Sequence, residues 1–163
     1  MIAHIMKNMI DYSNGNNHDI NHFIKVHSYA KTIGELENLT QQEMKILEIT
    51  AIIHDIACPL CREKYGNTNG IYQEKEGMIL AEEFLKDEDL TQEEKDRIIY
   101  LVGHHHTLKD IQGKDYQILI ESDYLVNADE SYYSMANKIS YMNKIFKTKT
   151  GQELLKSIYQ MEK

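Results

Sequence analysis

The feature that most constrains the fold of this chain is the scarcity of residues that interrupt helices. Its 163 residues include one proline, Pro59, and eight glycines. A β-sandwich or β-barrel of this length needs many more turn residues, so the composition favours helices. The length suits about one domain, and a hydrophobic fraction of 42% is too high for a disordered chain. We therefore predict a single all-α domain over residues 1–163.

Local patterns support the helical prediction along most of the sequence. Apolar residues recur at helical spacing, and the pairs Thr40–Glu43 and Thr91–Glu94 form capping boxes that open two helices. Residues 57–70, which hold the proline, two glycines and two asparagines, are predicted to form a long loop beside the site. The predicted C-terminal helices span residues 116–128, 130–146 and 152–161. The first of these contains an apolar run that could be a strand, but its overall spacing favours a buried helix.

The charge balance argues against a nucleic-acid polymer as a partner. The formal net charge is -8 at pH 7, and only two of the eighteen basic residues are arginines. A protein that binds a phosphate backbone normally presents a basic face. The sequence also lacks an apolar run of about 18 residues and a signal-peptide pattern at its N-terminus. We therefore expect no membrane partner and a cytoplasmic location.

The two cysteines, Cys58 and Cys61, form a single Cys-x-x-Cys pair. Such a pair can bind zinc or exchange disulfides. The chain has no second pair to complete a structural zinc site and no βαβ pattern typical of thioredoxin-like proteins. We interpret the cysteines as incidental residues of the predicted loop in a reducing compartment.

The strongest chemical feature is the adjacent pair His54–Asp55 at the end of an apolar helix. Burying an imidazole and a carboxylate there is costly unless a partner compensates them, and a divalent cation does so. Two further residues are candidates for ligands: His22, one turn into the predicted second helix, and Asp123, which is polar within an otherwise apolar stretch. The pair alone leaves a second interpretation open, in which His54 is a hydrogen-bonded core histidine and Asp55 caps the following loop.

The wider pattern resembles the HD superfamily of metal-dependent phosphohydrolases, whose signature is H…HD…D. Its elements here are His22, His54–Asp55 and Asp123, within the segments NHFIKVHSYAKTIGE, AIIHDIA and SDYL. YGNTNGIYQEKEG and GHHHT also resemble a bacterial subgroup described in general terms as phosphohydrolases. The local patterns predict about seven helices, and the resemblance likewise implies an all-helical bundle. It places the motif-bearing core at about 17–130, with C-terminal helices over 131–163 packed on it.

The same resemblance implies a cofactor and an activity. It assigns one divalent transition-metal ion (Mn, Fe, Ni, Co or Zn) to four ligands, with a second ion left open; the ligands are His22, His54, Asp55 and Asp123. It implies an enzyme that cleaves a phosphate ester or anhydride of a small metabolite, with a nucleotide as the expected substrate, by a metal-activated water. Asp55 or Asp123 would orient or deprotonate this water.

A second histidine cluster, His104–His105–His106, ends the predicted fifth helix. Helical spacing turns His105 inward and leaves His104 close to the same face. We predict that His105 contacts phosphate or donates a proton, that His104 contacts phosphate, and that His106 is exposed. Three basic residues are further candidates for substrate binding, each with a solvated surface position as the alternative: Lys25, Arg62 and Lys64.

One departure from the family pattern leaves the substrate open. Several HD phosphohydrolases carry a glutamate three residues after the motif aspartate, where this chain has Cys58. An HD-fold di-iron oxygenase is one alternative, although such enzymes use further histidines and residues 56–103 contain none. A non-catalytic metal- or nucleotide-binding regulator is another, against which the intact ligand set argues. The amphipathic terminal helices would permit a homodimer without requiring one.

Overall fold

The computed structural model describes residues 1–162, and all regular structure in this part of the chain is helical. It has nine helices, at α1 Ile2–Tyr12, α2 Asn17–Leu36, α3 Gln41–Ile53, α4 Cys58–Tyr65, α5 Gly70–Leu85, α6 Gln92–Val102, α7 Lys114–Glu130, α8 Met135–Lys144 and α9 Lys149–Ile158. The all-α prediction is confirmed, with nine helices in place of about seven. Both predicted capping boxes are present, with the Thr40 and Thr91 hydroxyls accepting from the backbone N–H groups of Glu43 and Glu94.

The predicted long loop over residues 57–70 is wrong for most of its length, because residues 58–65 form α4. Pro59 lies in the first turn of this helix, where its missing N–H group would have no intrahelical partner in any case. Gly66 ends the helix with a φ of +71°, and its N–H donates to the carbonyl of Arg62. The proline and glycine that suggested a loop therefore start and stop a short helix.

The C-terminal third also differs from its predicted boundaries. Residues 114–130 form the expected buried helix, α7, and no strand occurs there. The chain then reverses at Tyr132, whose φ is +52°, and Ser134 caps α8 by accepting from the Asn137 N–H group. This turn separates α7 from α8. The α8 helix begins at residue 135 where residue 130 was predicted, and α9 begins at residue 149 where residue 152 was predicted.

The core is built around α7, which packs against α2, α3 and α9. Twelve of its seventeen residues are buried, so the other helices enclose this helix on most sides. α3 also packs against α1 and α6, and α5 covers α6. Burial of these aliphatic side chains supplies the main stabilisation of the fold. The arrangement brings the start of α2, the end of α3, the end of α6 and the middle of α7 to one place.

Among residues 1–162, no helix combines the length and the apolar character that crossing a bilayer requires.

Candidate metal centre

Four side chains from three helices converge at this place. His22 lies in the second turn of α2, His54 and Asp55 follow α3, and Asp123 lies in the middle of α7. His22 Nε2 is 3.2 Å from His54 Nε2, 3.2 Å from Asp55 Oδ2 and 3.1 Å from Asp123 Oδ1. His54 Nε2 is 3.5 Å from Asp55 Oδ2 and 3.4 Å from Asp123 Oδ1. His22, His54 and Asp123 each offer a ligand atom within 4.8 Å of the other two, and Asp55 Oδ2 lies beside both imidazole Nε2 atoms.

These distances fit a set of ligands around one ion. Ligand atoms at about 2.1 Å from a metal stand about 3.0–3.4 Å apart in octahedral or tetrahedral geometry. The observed distances between the converging atoms run from 3.1 to 3.5 Å. Two imidazoles and two carboxylates are also a donor set suited to a divalent transition metal.

The imidazole rings are held in the orientation that metal binding requires. His22 Nδ1 donates to Glu130 Oε2 at 2.8 Å, and His54 Nδ1 donates to the Ala51 carbonyl at 2.8 Å. With the proton fixed on Nδ1, the Nε2 atom of each ring is the one turned toward the cluster. Hydrogen bonding of the outer ring nitrogen is the usual way in which proteins orient metal-binding histidines.

The electrostatics of the cluster favour a positive charge at its centre. Burial lowers the pKa of His22, but its hydrogen bonds to Asp123 and Asp55 outweigh that effect and raise the pKa to about 11. Burial raises the pKa of Asp123, yet the hydrogen bonds from His22 and His54 bring it below its usual range. The two carboxylates thus hold a proton on His22, and a divalent cation meets the same demand for positive charge.

A second group of possible ligands shares Asp55 with the first. Asp55, His105 and His106 offer ligand atoms that lie within 4.8 Å of one another. His105 Nε2 is 3.3 Å from Asp55 Oδ1, and His105 Nδ1 donates to the Val102 carbonyl at 2.7 Å. Asp55 therefore presents one oxygen to His22 and the other to His105.

The structure brings His105 to the site but turns His104 away from it. The His104 ring stacks on Tyr100 with ring centroids 3.9 Å apart, and its Nδ1 donates to the Tyr100 carbonyl. The predicted phosphate contact of His104 therefore has no support in the geometry. His106 is exposed, as predicted, but its ring also lies beside the site, where its Nε2 is 3.0 Å from Gln73 Oε1. Gly70 permits this, because a Cβ there would lie 2.9 Å from the His106 Cβ.

The three basic residues predicted to bind substrate are not free phosphate ligands in this structure. Arg62 makes a two-point ion pair with Asp19 at 2.6 and 2.7 Å. Lys64 pairs with Glu76 at 2.8 Å. Lys25 is half exposed, its Nζ lies 3.9 Å from Glu130 Oε1, and it lines a separate cavity beside α7 and α9. Of the three, only Arg62 lines a cavity at the candidate centre.

Two cavities meet at the cluster. The polar cavity, of about 180 Å³, is lined among others by His22, Asp55, Arg62 and Glu130. The tyrosine pocket, of about 260 Å³, is lined by Tyr124, Tyr133 and Tyr141 together with Ile120, Asn127 and Asn137. Asp123, His106 and Asn127 line both cavities, so the candidate metal centre lies where the two join.

Sequence reasoning missed Glu130 and Gln73 as well as His106. Glu130 follows Asp123 by seven residues, which is about two turns of the same helix, so helical spacing could have placed it beside the ligands. Gln73 lies on α5, and its position against His105 and His106 depends on helix packing that no local pattern reveals.

Comparisons with known proteins bear on the same residues. A family model described as HD domain matches residues 19–139. No curated protein sequence matches the chain. The chain is similar to the crystal structure of a predicted HD superfamily hydrolase from an uncultured Thermotogales bacterium, with a TM-score of 0.70 and 20% identity. This alignment covers 98% of this chain and 83% of the other, and it shows a shared fold. Because the family model spans all four converging side chains and most of the helices, the chain belongs to the HD-domain family.

Proposed function

We propose that this protein is a metal-dependent phosphohydrolase that cleaves a phosphate ester or anhydride of a small metabolite, with a nucleotide as the leading substrate class. The observation that carries the proposal is the convergence of His22, His54, Asp55 and Asp123 at ion-binding distances beside two open cavities. The hydrolase description of the similar crystal structure and the family match support the assignment as a hydrolase.

The residues of the centre can divide the chemistry among them. When bound, a divalent cation supplies Lewis acidity, which acidifies a water and neutralises charge on a phosphoryl oxygen. Asp55, which lines the polar cavity, is the residue we assign to accept the proton of the attacking water, with Asp123 as the alternative. The water oxygen forms the new bond to phosphorus, and the bond from phosphorus to the leaving oxygen breaks.

His105 is placed to supply the proton that the leaving oxygen needs. Burial lowers the pKa of His105, but its hydrogen bond to Asp55 outweighs that effect and the net shift is upward. A proton on Nε2 would lie 3.3 Å from Asp55 Oδ1. Its fixed Nδ1 hydrogen bond keeps the acidic N–H directed into the site.

The charge of the chain and the size of the cleft support a small substrate. The chain is acidic overall, and the two cavities of about 180 and 260 Å³ suit a small molecule better than a polymer. A phosphoryl group at the junction would leave the rest of the substrate in one of the two cavities.

A phosphate-release screen tests the proposal. Protein purified without chelator would be incubated with nucleoside mono-, di- and triphosphates, sugar phosphates and methyl phosphate. We expect release from at least one substrate, and loss of that activity by at least a hundredfold in Asp55→Ala. Asp89→Ala, which removes an exposed carboxylate far from the site, is the matched control. Unchanged turnover in Asp55→Ala would contradict the assignment of this site.

One observation favours a second candidate function. The cluster of Asp55, His105 and His106 could hold a second ion that shares Asp55 with the first. Two irons at such a site would favour the dioxygen chemistry of HD-fold oxygenases. Oxygen uptake by iron-loaded protein is the measurement that separates this candidate from the phosphohydrolase.

A further inference from the structure

The tyrosine pocket continues directly from the candidate metal centre, and its outer part offers no metal ligand among the described residues. Asp123 and His106 form its inner end, and the half-exposed side chain of Leu108 lies among its lining. A substrate with its phosphoryl group at the centre can therefore extend into this pocket. The lining decides what kind of group fits there.

The wall of the pocket is aromatic. The rings of Tyr124 and Tyr141 are stacked, with centroids 3.7 Å apart and an interplanar angle of 12°. Phe146 supports both rings edge-on from behind, and Tyr133 stands 5.6 Å from Tyr124. Flat, rigid surfaces of this kind favour a flat occupant, because stacking on an aromatic ring adds to simple burial.

The polar groups of the pocket are uncharged and can both donate and accept hydrogen bonds. Asn127 and Asn137 each carry a carboxamide, and Asn137 Oδ1 accepts from the Tyr124 hydroxyl. Of the described residues that line the pocket, only those belonging to the metal centre carry a charge or an imidazole. A charged occupant would find no counter-ion in the outer part of the pocket, whereas the donor and acceptor edge of a heterocycle would find partners.

We propose that the tyrosine pocket is the binding site for an uncharged aromatic heterocycle, of the nucleobase type, and that Tyr133 and Asn137 determine specificity for it. The volume of about 260 Å³ lies below the roughly 300–1,000 Å³ of pockets for drug-sized ligands, so it suits one ring system. That this heterocycle belongs to the reacting substrate rests on the proposed function, whereas that it binds in the pocket rests on the pocket alone.

The polar cavity limits how many phosphates such a substrate carries. Among its described lining residues the one permanent cation is Arg62, and Asp19 already pairs with it at two points. Glu130 adds a further carboxylate near the cluster, and Lys25, whose Nζ lies 3.9 Å from Glu130 Oε1, is outside the lining. A polyphosphate chain would meet the carboxylates of this cavity without an unpaired arginine or lysine in the lining to neutralise it. The structure therefore assigns a monoester of one phosphate as the preferred form of the substrate.

Nucleoside binding tests the pocket without depending on turnover. The probes are adenosine, guanosine, cytidine and uridine, with D-ribose as the non-aromatic control, measured by calorimetry and saturation-transfer NMR on the protein as purified. We expect at least one nucleoside to bind more than tenfold more tightly than ribose. Tyr133→Leu should weaken that binding about tenfold, in line with the usual contribution of stacking one base on an aromatic side chain.

Matched variants separate a specific effect from a structural one. Tyr132→Leu changes the adjacent tyrosine, which is 92% exposed and lines neither cavity, and should leave the nucleoside Kd unchanged. Asn137→Ala, on the exposed side of α8, should change the preference among the four bases and keeps the test open if Tyr133→Leu fails to fold. Absence of nucleoside binding, or equal losses in the Tyr132 and Tyr133 variants, would overturn the proposal.

The outcomes for the pocket and for the proposed function can be told apart. Nucleoside binding without phosphate release from any substrate would support the pocket and contradict the phosphohydrolase. Phosphate release from methyl phosphate without nucleoside binding would support the phosphohydrolase and contradict the nucleobase pocket. A kcat/KM for a nucleoside monophosphate at least tenfold above that for the triphosphate supports the one-phosphate assignment, and the opposite order overturns it.

Discussion

At the scale of single residues, the candidate centre depends on side chains that hold the ligands as much as on the ligands themselves. Glu130 accepts the Nδ1 proton of His22 at 2.8 Å and lies on α7, the helix that also carries Asp123. The helix thus supplies one ligand directly and orients another. Such outer partners typically change metal affinity about 10–100-fold when they are removed.

Glu130→Gln should therefore weaken metal binding about tenfold or more, because the neutral amide accepts a weaker hydrogen bond from His22. The matched control is Glu48→Gln, which alters a second histidine–carboxylate pair, His27–Glu48, at 3.0 Å outside the site. Competition with a metal-binding dye gives the affinity of each variant. Equal affinities in the two variants would show that Glu130 does not position His22.

His105→Ala should lower kcat about a hundredfold while the first metal ion is retained, because the leaving oxygen then lacks its proton donor. His104→Ala is the control from the same turn, since that ring stacks on Tyr100 instead of facing the site. Metal content and steady-state kinetics are measured together. Loss of one metal equivalent in His105→Ala would instead assign the ring as a ligand of a second ion.

At the scale of helices, what the sequence could predict depended on whether the signal was local. The capping boxes at Thr40 and Thr91 lie within four residues of the sequence and were predicted correctly. α4 was missed because Pro59 and Gly66 were interpreted as loop residues, although proline inside the start and glycine just past the end are typical of a short helix. The predicted end of α7 at 128 lies close to the observed end at 130, but α8 was predicted to start five residues early because the turn at Tyr132 carries no glycine or proline.

The helix caps also lead to a prediction about stability at the scale of helices. Thr91→Ala removes the hydroxyl that accepts from the Glu94 N–H group and should lower the free energy of unfolding by about 1 kcal/mol. Thr32→Ala is the control, because this exposed threonine lies within α2 and its hydroxyl donates only to the Ser28 carbonyl of the same helix. Urea denaturation measures both variants. A loss in Thr32→Ala as large as that in Thr91→Ala would contradict the capping account.

At the scale of the whole molecule, the site joins residues that are far apart in sequence. His22 and Asp123 are 101 positions apart, and no spacing rule connects them. The resemblance to the HD pattern predicted which four residues to group, whereas the structure places them within ion-binding distances. The tyrosine pocket could not be predicted in this way, because Tyr124, Tyr133 and Tyr141 meet only through the turn between α7 and α8.

The many tyrosines make the alkaline stability of the whole chain testable. Burial raises the pKa of Tyr116, Tyr124 and Tyr159 to about 12, above the ordinary value of 10.0. The folded chain therefore keeps phenolic protons that the unfolded chain loses, and this stabilisation, complete below pH 10, is lost as the pH rises toward 12. Tyrosinate absorbance should rise at higher pH in the folded than in the urea-unfolded chain. Coincident titrations would contradict burial of these phenols.

The measurement that tests the central claim most directly is the metal content of the purified protein by mass spectrometry. The protein would be prepared without chelator, with Asp55→Ala and the control Asp89→Ala prepared in parallel. The account predicts about one divalent transition-metal ion per chain in the unaltered protein and in Asp89→Ala, and its loss in Asp55→Ala, because four converging ligands hold the ion. Full metal retention in Asp55→Ala, or no transition metal in the unaltered protein even after incubation with Mn²⁺, Fe²⁺, Co²⁺, Ni²⁺ or Zn²⁺, would contradict it.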